Sequence, residues 1–245
     1  MDRDLSGFYD SAYARGGERH ARWRELGARG KADHVETLVA RASLHAGSVV
    51  EIGCGDGALL AELSARGFGG SLAGYDISTA AVELARGRAI PRVASVEVFD
   101  GSRLPAADKS FDLGVLSHVL EHVDDPAALL REAARVSRAV IVEVPLERNA
   151  SAVRPSRRAE SQEIGHVQAL DRAAVRALVQ ECGLRIATDL LDPLPVEVHT
   201  FFASSPVEQV RGLAKAVVRR GLFRASPATA ERAFTLHYAC ACVPA

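Results

Sequence analysis

Residues 49–57 decide the fold: Val49-Val50-Glu51-Ile52-Gly53-Cys54-Gly55-Asp56-Gly57. An apolar run typical of a strand enters a glycine-rich turn, and a helical pattern follows it. Glycines in such a turn permit positive φ angles and let a ligand approach the backbone closely. The helix N-terminus adds free N–H groups and a partial positive charge. The stretch therefore predicts a ligand-binding turn after the first strand of an α/β domain.

The same alternation of strand and helix continues along the chain. We predict further strands at residues 71–75, 95–99, 111–117, 139–144, 184–191 and 234–243. We predict helices between them at residues 56–66, 78–86, 125–138 and 171–183. Strands that alternate with helices indicate a parallel sheet with helices on both of its faces.

Two segments lie outside this regular pattern. Residues 149–163 are polar and are expected to form a loop or a mobile segment. Residues 206–222 carry apolar side chains at helical spacing, namely Val207, Val210, Leu213, Ala214, Val217 and Val218. We expect a surface helix that packs these residues on the sheet and leaves its basic residues in solvent, with a substrate cap or a dimer contact as the alternative.

The first forty residues contain four aromatic side chains, Phe8, Tyr9, Tyr13 and Trp23. One interpretation is a helical layer that packs on the sheet. The other is a lid over the active site, because aromatic rings can enclose a cation and a flat substrate. The two are compatible, since one element can do both.

Composition narrows the range of partners. A chain of 245 residues with a net charge of −1 suits one large domain and shows no general attraction to nucleic acid or anionic membrane. No apolar run is long enough to span a bilayer, and the polar N-terminus MDRDLSGFYD resembles no secretory signal. We therefore predict a cytoplasmic protein without a membrane partner. The four scattered cysteines, Cys54, Cys182, Cys240 and Cys242, are expected to be small buried hydrophobes.

Three acidic residues end three successive predicted strands: Glu51, Asp76 and Asp100. The carboxyl ends of parallel strands meet at the crevice where open α/β sheets bind ligands. The glycine spacing G-x-G-x-G differs from the G-x-G-x-x-G of dinucleotide sites, which disfavours an NAD-dependent dehydrogenase. An acid beside the turn would repel a pyrophosphate but suits the ammonium of an amino acid.

The motifs together resemble one family. E-I-G-C-G-D-G, G-Y-D-I-S, F-D-G-S-R-L-P and S-F-D-L-G-V-L-S-H-V-L-E-H-V-D-D-P, which lie between residues 49 and 145, resemble the class I methyltransferases that use S-adenosylmethionine (SAM), in the branch with an L-E-H-V signature. The resemblance implies a Rossmann-like, mostly parallel sheet of seven strands whose last strand is antiparallel. It also implies a SAM-binding core at residues 46–148 of a single domain, an N-terminal helical lid at residues 1–45 and a substrate-side half at residues 149–245 with an insertion at residues 192–232.

The resemblance assigns SAM-binding roles to a set of residues. Glu51 and the glycine turn would hold the methionine part, Asp76 the ribose, and Asp100 with Gly101 the adenine. Ser117 and His118 would lie beside the sulfonium, and Lys31 or an N-terminal tyrosine could reach the SAM carboxylate. The full predicted set for the cofactor comprises Glu51, Gly53, Cys54, Gly55, Gly57, Asp76, Ile77, Asp100, Gly101, Ser117 and His118.

Three histidines are candidate catalytic bases, because histidine titrates near neutral pH. They are His118, His122 and His166. We expect no metal. The alternative is a metal held by His118, Glu121, His122 and His166, because some relatives of the family have metal ligands in the E-x-x-E-H stretch that aligns with H-x-x-E-H here. A histidine in the first position would favour zinc, iron or manganese over magnesium.

These observations predict methyl transfer from SAM to an O or N atom of a small-molecule acceptor, as in secondary metabolism. An RNA methyltransferase is an alternative, although the balanced charge makes nucleic acid a poor partner. A SAM-binding module without catalysis is another, because binding and turnover are separate properties.

Overall fold

The structure is a computed structural model that describes residues 5–245, apart from the side chains at positions 157, 158 and 160. Residues 1–4 of the predicted lid lie outside it. Seven strands form one sheet: β1 Ser48–Ile52, β2 Ser71–Asp76, β3 Val93–Val98, β4 Phe111–Ser117, β5 Ser137–Pro145, β6 Leu184–Asp192 and β7 His237–Pro244. The helices are α1 Leu5–Ala42, α2 Ala58–Ala65, α3 Thr79–Gly87, α4 Pro126–Val136, α5 Pro155–Glu163, α6 Arg172–Glu181, α7 Val196–Thr200, α8 Pro206–Ala225 and α9 Pro227–Ala233.

The sheet has the predicted Rossmann-like architecture. Its strand order is β3-β2-β1-β4-β5-β7-β6, and β7 is antiparallel to both of its neighbours. An apolar layer lies on each face, one packed with α1, α2 and α3 and the other with α4 and α6. The α/β fold with a last antiparallel strand is thus confirmed. None of the helices in residues 5–245 has the length and apolar character needed to cross a membrane.

Local sequence signals fix where the helices begin. The Ser78 hydroxyl accepts a hydrogen bond from the backbone N–H of Ala81 at the start of α3. Asp125 caps α4 in the same way, with Pro126 in the first turn, and Asp171 caps α6. Each cap satisfies a backbone donor that a helix N-terminus leaves unpaired. These caps hold the loops after β2 and β4 in place at the carboxyl edge of the sheet.

The N-terminal helix α1 changes direction at Gly17, whose φ is 58° and ψ is −176°. This conformation is accessible to glycine and strained for other residues. The part after Gly17 packs on the sheet beside α2, with Ala32, Val35 and Leu38 fully buried. The part before it lies across the carboxyl ends of the strands. The helical layer and the lid considered from the sequence are therefore two parts of α1. The part after Gly17 is the layer, and the part before Gly17, which we call the cover, lies over the strand ends.

Two expectations were wrong. Residues 149–163 were expected to be a loop, but they contain α5, Pro155–Glu163. Proline fits the first turn of this short helix, because the backbone N–H that it lacks would have no partner there.

The larger correction concerns α8. Its apolar side chains do not pack on the sheet: Val207, Val210, Leu213, Val217 and Val218 are between 45% and 68% exposed. The helix is buried instead along Gly212, Ala216 and Arg219. Gly212 permits this contact, because a Cβ there would overlap the backbone carbonyl of His199 in α7.

Candidate functional site

The glycine turn after β1 is open to close backbone approach. Gly53, Gly55 and Gly57 have φ values of 77°, 54° and 74°. A Cβ on Gly53 would overlap the Val119 side chain, and one on Gly55 would overlap the Tyr13 hydroxyl. Only glycine fits at either position. The surface of Gly55 thus faces the crevice, where Tyr13 from α1 covers it.

Gly57 and the Cys54 side chain pack against neighbouring elements rather than into the crevice. A Cβ on Gly57 would lie 3.1 Å from the Cβ of Ala85 in α3. The Cys54 side chain points towards Gly74 of β2, where a Cβ would be 2.8 Å from its sulfur atom. For both residues, the backbone is the part that remains available to a ligand.

Glu51 is the most informative residue of the site. Its side chain is buried, and its Oε2 atom has no hydrogen-bond partner among the described residues. The pKa of Glu51 is raised to about 8, mainly by burial, with a smaller contribution from the nearby Asp76 and Asp56 and against the positive charge of Lys31. A buried carboxylate without a partner is costly, so the geometry suits a cationic ligand at this point.

Asp76 ends β2 and holds the turn from the other side. Its Oδ2 accepts a hydrogen bond of 2.7 Å from the Gly55 N–H, and its Oδ1 accepts one of 2.9 Å from the Ser78 N–H. Burial raises its pKa in spite of these bonds. Each carboxylate oxygen has a second lone pair, so the group can accept two further hydrogen bonds.

Asp100 follows β3 and is exposed. Its Oδ1 accepts hydrogen bonds from the Arg103 N–H, the Ser102 N–H and the Ser102 hydroxyl, at 2.8 to 2.9 Å. These bonds lower the pKa of Asp100 to about 2, led by the one from the Arg103 N–H. Gly101 has a φ of 81°, and a Cβ there would lie 3.3 Å from Ile77. Ile77 and Gly101 are therefore neighbours at the end of the crevice.

The first part of α1 closes over these strand ends. The Ser6 hydroxyl donates to the Ile77 carbonyl at 3.0 Å. Asp10 accepts from the Ser78 hydroxyl at 2.7 Å and from the Ala80 N–H at 3.0 Å. Further along, Arg24 forms an ion pair of 2.9 Å with Asp56. The contacts fix the segment against the turn that follows β2.

A second group of polar residues lies beyond β4 and β5. Three histidine nitrogens surround the Oε1 atom of the buried Glu143: His34 Nδ1 at 3.1 Å, His237 Nδ1 at 3.2 Å and His118 Nε2 at 3.6 Å. The Ser117 hydroxyl donates to Glu143 Oε2 at 3.1 Å. We call His118, Glu143 and His237 the β5 cluster.

The remaining catalytic candidates gather a few ångströms away. Glu121, His122 and His166 have ligand atoms within 4.8 Å of one another. The His122 Nδ1 lies 2.7 Å from the Tyr9 hydroxyl, and the His166 Nδ1 lies 2.8 Å from Glu147. His118 joins the two groups, because its Nδ1 is 3.1 Å from Glu121 Oε1. The structure therefore brings the four residues of the predicted metal alternative into one region but turns the His118 Nε2 towards Glu143.

The histidines differ in protonation. Burial lowers the pKa of His122 to about 4, so this ring is neutral at pH 7. Burial and Lys31 lower the pKa of His118, but Glu121 and Glu143 outweigh them and the net shift is upward. Burial lowers the pKa of His237, as does the neighbouring His118. His118 also has a φ of 59°, which is strained for a residue other than glycine.

Sequence reasoning missed several residues of this region: Tyr9 as a partner of His122, and His34, Glu143, Glu147 and His237. Glu143 could have been found, because a lone acid within the apolar strand Val140–Val144 requires a polar partner. The histidines gave no signal, since they lie 109 and 94 residues from Glu143 along the chain.

Comparisons with known proteins identify relatives in sequence and in fold. A family model described as a methyltransferase domain matches residues 50–139. A demethylmenaquinone methyltransferase of Corynebacterium kroppenstedtii is 41% identical over 88 residues, which are 36% of this chain and 36% of its own. The ajmaline N-methyltransferase of Rauvolfia serpentina is 28% identical over 62% of this chain and 52% of its own.

Among solved structures, the magnesium protoporphyrin IX methyltransferase of Synechocystis has a TM-score of 0.62 at 18% identity and covers 99% of this chain and 100% of its own. This likeness shows a shared fold. The chain spans 36% and 52% of the length of the two curated relatives. The stretch matched by the family model runs from β1 into β5 and contains the glycine turn and the three strand-end acids.

Proposed function

We propose that this chain transfers a methyl group from SAM to an O or N atom of a small molecule. The observation that carries the proposal is the Oε2 atom of Glu51, which is buried beside the glycine turn without a hydrogen-bond partner among the described residues and within reach of the charge of Lys31. A carboxyl group and a lysine at one end of the crevice complement the ammonium and the carboxylate of an amino acid. The Glu51 carboxylate would repel a pyrophosphate at that position.

The other residues of the crevice fit the rest of the cofactor. Asp76 has two free acceptor positions for the ribose hydroxyls. Ile77 and Gly101 offer an apolar edge for adenine, and Asp100 offers its second oxygen to the adenine amino group. The Gly53 and Gly55 backbone would contact the methionine part, with Tyr13 above it. All of these residues except Tyr13 lie within the matched methyltransferase domain.

SAM supplies an electrophilic methyl group. The chain must therefore bind SAM and the acceptor, orient them towards each other and exclude water. The first part of α1 excludes water by covering the turn. We assign proton acceptance to His122, because its pKa of about 4 leaves it neutral at pH 7. Burial and Lys31 lower the pKa of His118, but its contacts with Glu121 and Glu143 raise it more strongly, so we assign His118 to positioning rather than to proton removal.

The nature of the acceptor is supported by two observations. The relatives reported above are named for small organic molecules, a demethylated menaquinone and ajmaline. The net charge of −1 gives no basic surface of the size that nucleic-acid binders use, which disfavours the RNA alternative. A cytoplasmic location and a role in secondary metabolism stay predictions.

Calorimetry with S-adenosylhomocysteine, the product of SAM, and with NAD tests the binding part of the proposal. We expect micromolar-range affinity for the first ligand and no measurable binding of NAD. The variant Asp76→Ala should weaken binding by about 10- to 100-fold, because two charge-assisted hydrogen bonds to ribose are lost. An unchanged Kd in a folded Asp76→Ala variant would contradict the placement of the ribose.

A second experiment tests catalysis. The protein is incubated with methyl-labelled SAM and a panel of phenols, hydroxyquinones and amines, with unstructured RNA as a separate sample. Label transfer to a small acceptor is expected from the wild type and not from Asp76→Ala. Transfer to RNA alone would favour the alternative function, and tight binding without transfer to any acceptor would favour the binding module.

A further inference from the structure

We propose that the β5 cluster, His118, Glu143 and His237, binds a divalent transition-metal ion. The three ligand atoms form a triangle: His118 Nε2 to His237 Nδ1 is 3.3 Å, His237 Nδ1 to Glu143 Oε1 is 3.2 Å, and His118 Nε2 to Glu143 Oε1 is 3.6 Å. Two ligands bound to Zn²⁺ at about 2.0–2.1 Å in tetrahedral geometry lie roughly 3.3–3.4 Å apart. An ion therefore fits one face of the tetrahedron without movement of the side chains.

The groups around the triangle hold its members as a metal site requires. A metal-binding histidine usually donates its other ring N–H to a carboxylate. The His118 Nδ1 lies 3.1 Å from Glu121 Oε1, which leaves Nε2 for the ion. The Ser117 hydroxyl holds the second oxygen of Glu143 at 3.1 Å. Two of the three ligands thus have an orienting partner before any ion binds.

The donor set also indicates the class of metal. Two imidazoles and one carboxylate suit Zn²⁺, Fe²⁺ or Mn²⁺ and leave at least one coordination position open. A fourth polar group, His34 Nδ1, is 3.1 Å from Glu143 Oε1, and its Nε2 is 3.3 Å from Asp192. We do not count His34 among the ligands, because the ligand atoms that lie within 4.8 Å of one another are those of His118, Glu143 and His237.

The position of the cluster separates it from the metal set considered from the sequence. That set comprises His118, Glu121, His122 and His166, in which the His122 Nδ1 lies 2.7 Å from the Tyr9 hydroxyl and the His166 Nδ1 lies 2.8 Å from Glu147. The β5 cluster instead joins the ends of β4 and β5 to the first residue of β7. The two sites share only His118 as a candidate ligand, so different variants distinguish them.

The test uses tag-free protein that has been treated with chelator and dialysed. Titration with Zn²⁺, and separately with Co²⁺, is followed by equilibrium dialysis with elemental analysis and by the visible spectrum of bound Co²⁺. One equivalent of metal is expected, with a tetrahedral or five-coordinate Co²⁺ spectrum. His237→Ala and Glu143→Gln should each weaken binding by at least about 10-fold.

His122→Ala and His166→Ala are the matched controls and should bind as tightly as the wild type. Binding of S-adenosylhomocysteine by each variant verifies its fold and is independent of the metal result. No binding by the wild type would overturn the proposal. Loss of metal from His122→Ala with retention in His237→Ala would also overturn it and would place the ion in the other cluster.

A separate observation concerns the outer face of α8. At 3.6 residues per turn, Val207, Val210, Ala214, Val217 and Val218 fall on one stripe opposite the buried residues Gly212, Ala216 and Arg219. The stripe therefore faces solvent from Val207 to Val218. We infer that it docks in the plane of an anionic lipid surface.

The basic residues of α8 favour an anionic lipid surface as the partner. Along α8 five residues are basic and one, Glu208, is acidic. Arg211 lies on one border of the stripe, and Arg220 and Arg224 lie on the other. An apolar face with basic residues on both sides is the pattern of helices that lie in a membrane interface. A second copy of the chain would bring like charges together along both borders of a paired α8. The low net charge of the whole chain had suggested no membrane partner, but the charge of α8 differs from that average.

Vesicle co-sedimentation tests this inference with phosphatidylcholine alone and with phosphatidylcholine plus phosphatidylglycerol. Binding to the anionic vesicles only is expected, falling by at least about 10-fold in Val210→Asp/Val217→Asp. A matched control, Val98→Asp, alters an exposed valine elsewhere and should bind normally. Equal binding to both vesicles, no binding, or a dimer in light scattering that Val210→Asp/Val217→Asp dissolves would each overturn the inference.

Discussion

At the scale of single residues, the account depends on the Glu51 carboxyl group, one oxygen of which lacks a hydrogen-bond partner within residues 5–245. Glu51 is buried, and its pKa is raised to about 8 mainly by burial. Without a ligand, the folded protein therefore keeps this group protonated up to about pH 8, whereas the unfolded chain ionises it near its ordinary value of 4.5. The stability of the unliganded protein should fall as pH rises between these two values, because only the unfolded state releases the proton there.

Glu51→Gln should remove this penalty. We expect the variant without ligand to be more stable than the wild type at pH 8, by roughly 1–3 kcal/mol, and of similar stability at pH 4.5. Thermal unfolding at the two pH values measures the difference. The same variant should bind S-adenosylhomocysteine at least about 10-fold more weakly, because the ammonium loses its anion. A variant that is destabilised at pH 8 and binds normally would show that Glu51 is a structural residue.

His122 gives a second prediction at this scale. A base with a pKa of about 4 stays neutral above about pH 5, so the rate with any acceptor found should not fall between pH 8 and pH 6 on account of this group. His122→Ala should lower kcat by about 10²- to 10⁴-fold and leave the Kd of S-adenosylhomocysteine unchanged. An ascending limb centred near pH 6.5 that persists in His122→Ala would assign the base elsewhere.

At the scale of elements, α1 links the fold to the site. The part after Gly17 belongs to the core, and the part before it contacts the crevice through Ser6, Asp10 and Tyr13. The bend at Gly17 has a φ of 58°, and a Cβ there would meet no atom within 4 Å, so a larger residue is opposed by backbone strain alone. Backbone strain at Gly17 should therefore displace the part of α1 before the bend and leave the sheet unchanged.

Gly17→Ala tests this separation. We expect a cost of about 1–3 kcal/mol at the bend, a weaker affinity for S-adenosylhomocysteine and faster proteolysis within residues 5–16. Gly30→Ala is the matched control, because Gly30 is helical and has free space around it, and alanine should stabilise the helix by about 0.5–1 kcal/mol. Equal affinity in the two variants would show that the cover does not contribute to binding.

At the scale of the whole molecule, the sequence predicted the sheet well because its central strands, β1, β4, β5 and β7, are largely buried and read as apolar runs. Phe111–Ser117 was placed to the residue, and the glycine turn, Asp76 and Asp100 came at the ends of the strands they follow. The apolar stripe of α8 was misplaced because helical periodicity shows that a helix has an apolar face but not which way that face points. The β5 cluster was invisible because its members are distant along the chain and meet only once β7 inserts between β5 and β6.

The central claim is that the crevice binds an adenosine joined to a zwitterionic amino acid. A crystal structure with S-adenosylhomocysteine tests it most directly. The account predicts the ligand ammonium within about 3 Å of the Glu51 carboxylate and both ribose hydroxyls on Asp76. A ligand bound elsewhere, or one whose amino-acid end points away from Glu51, would contradict it.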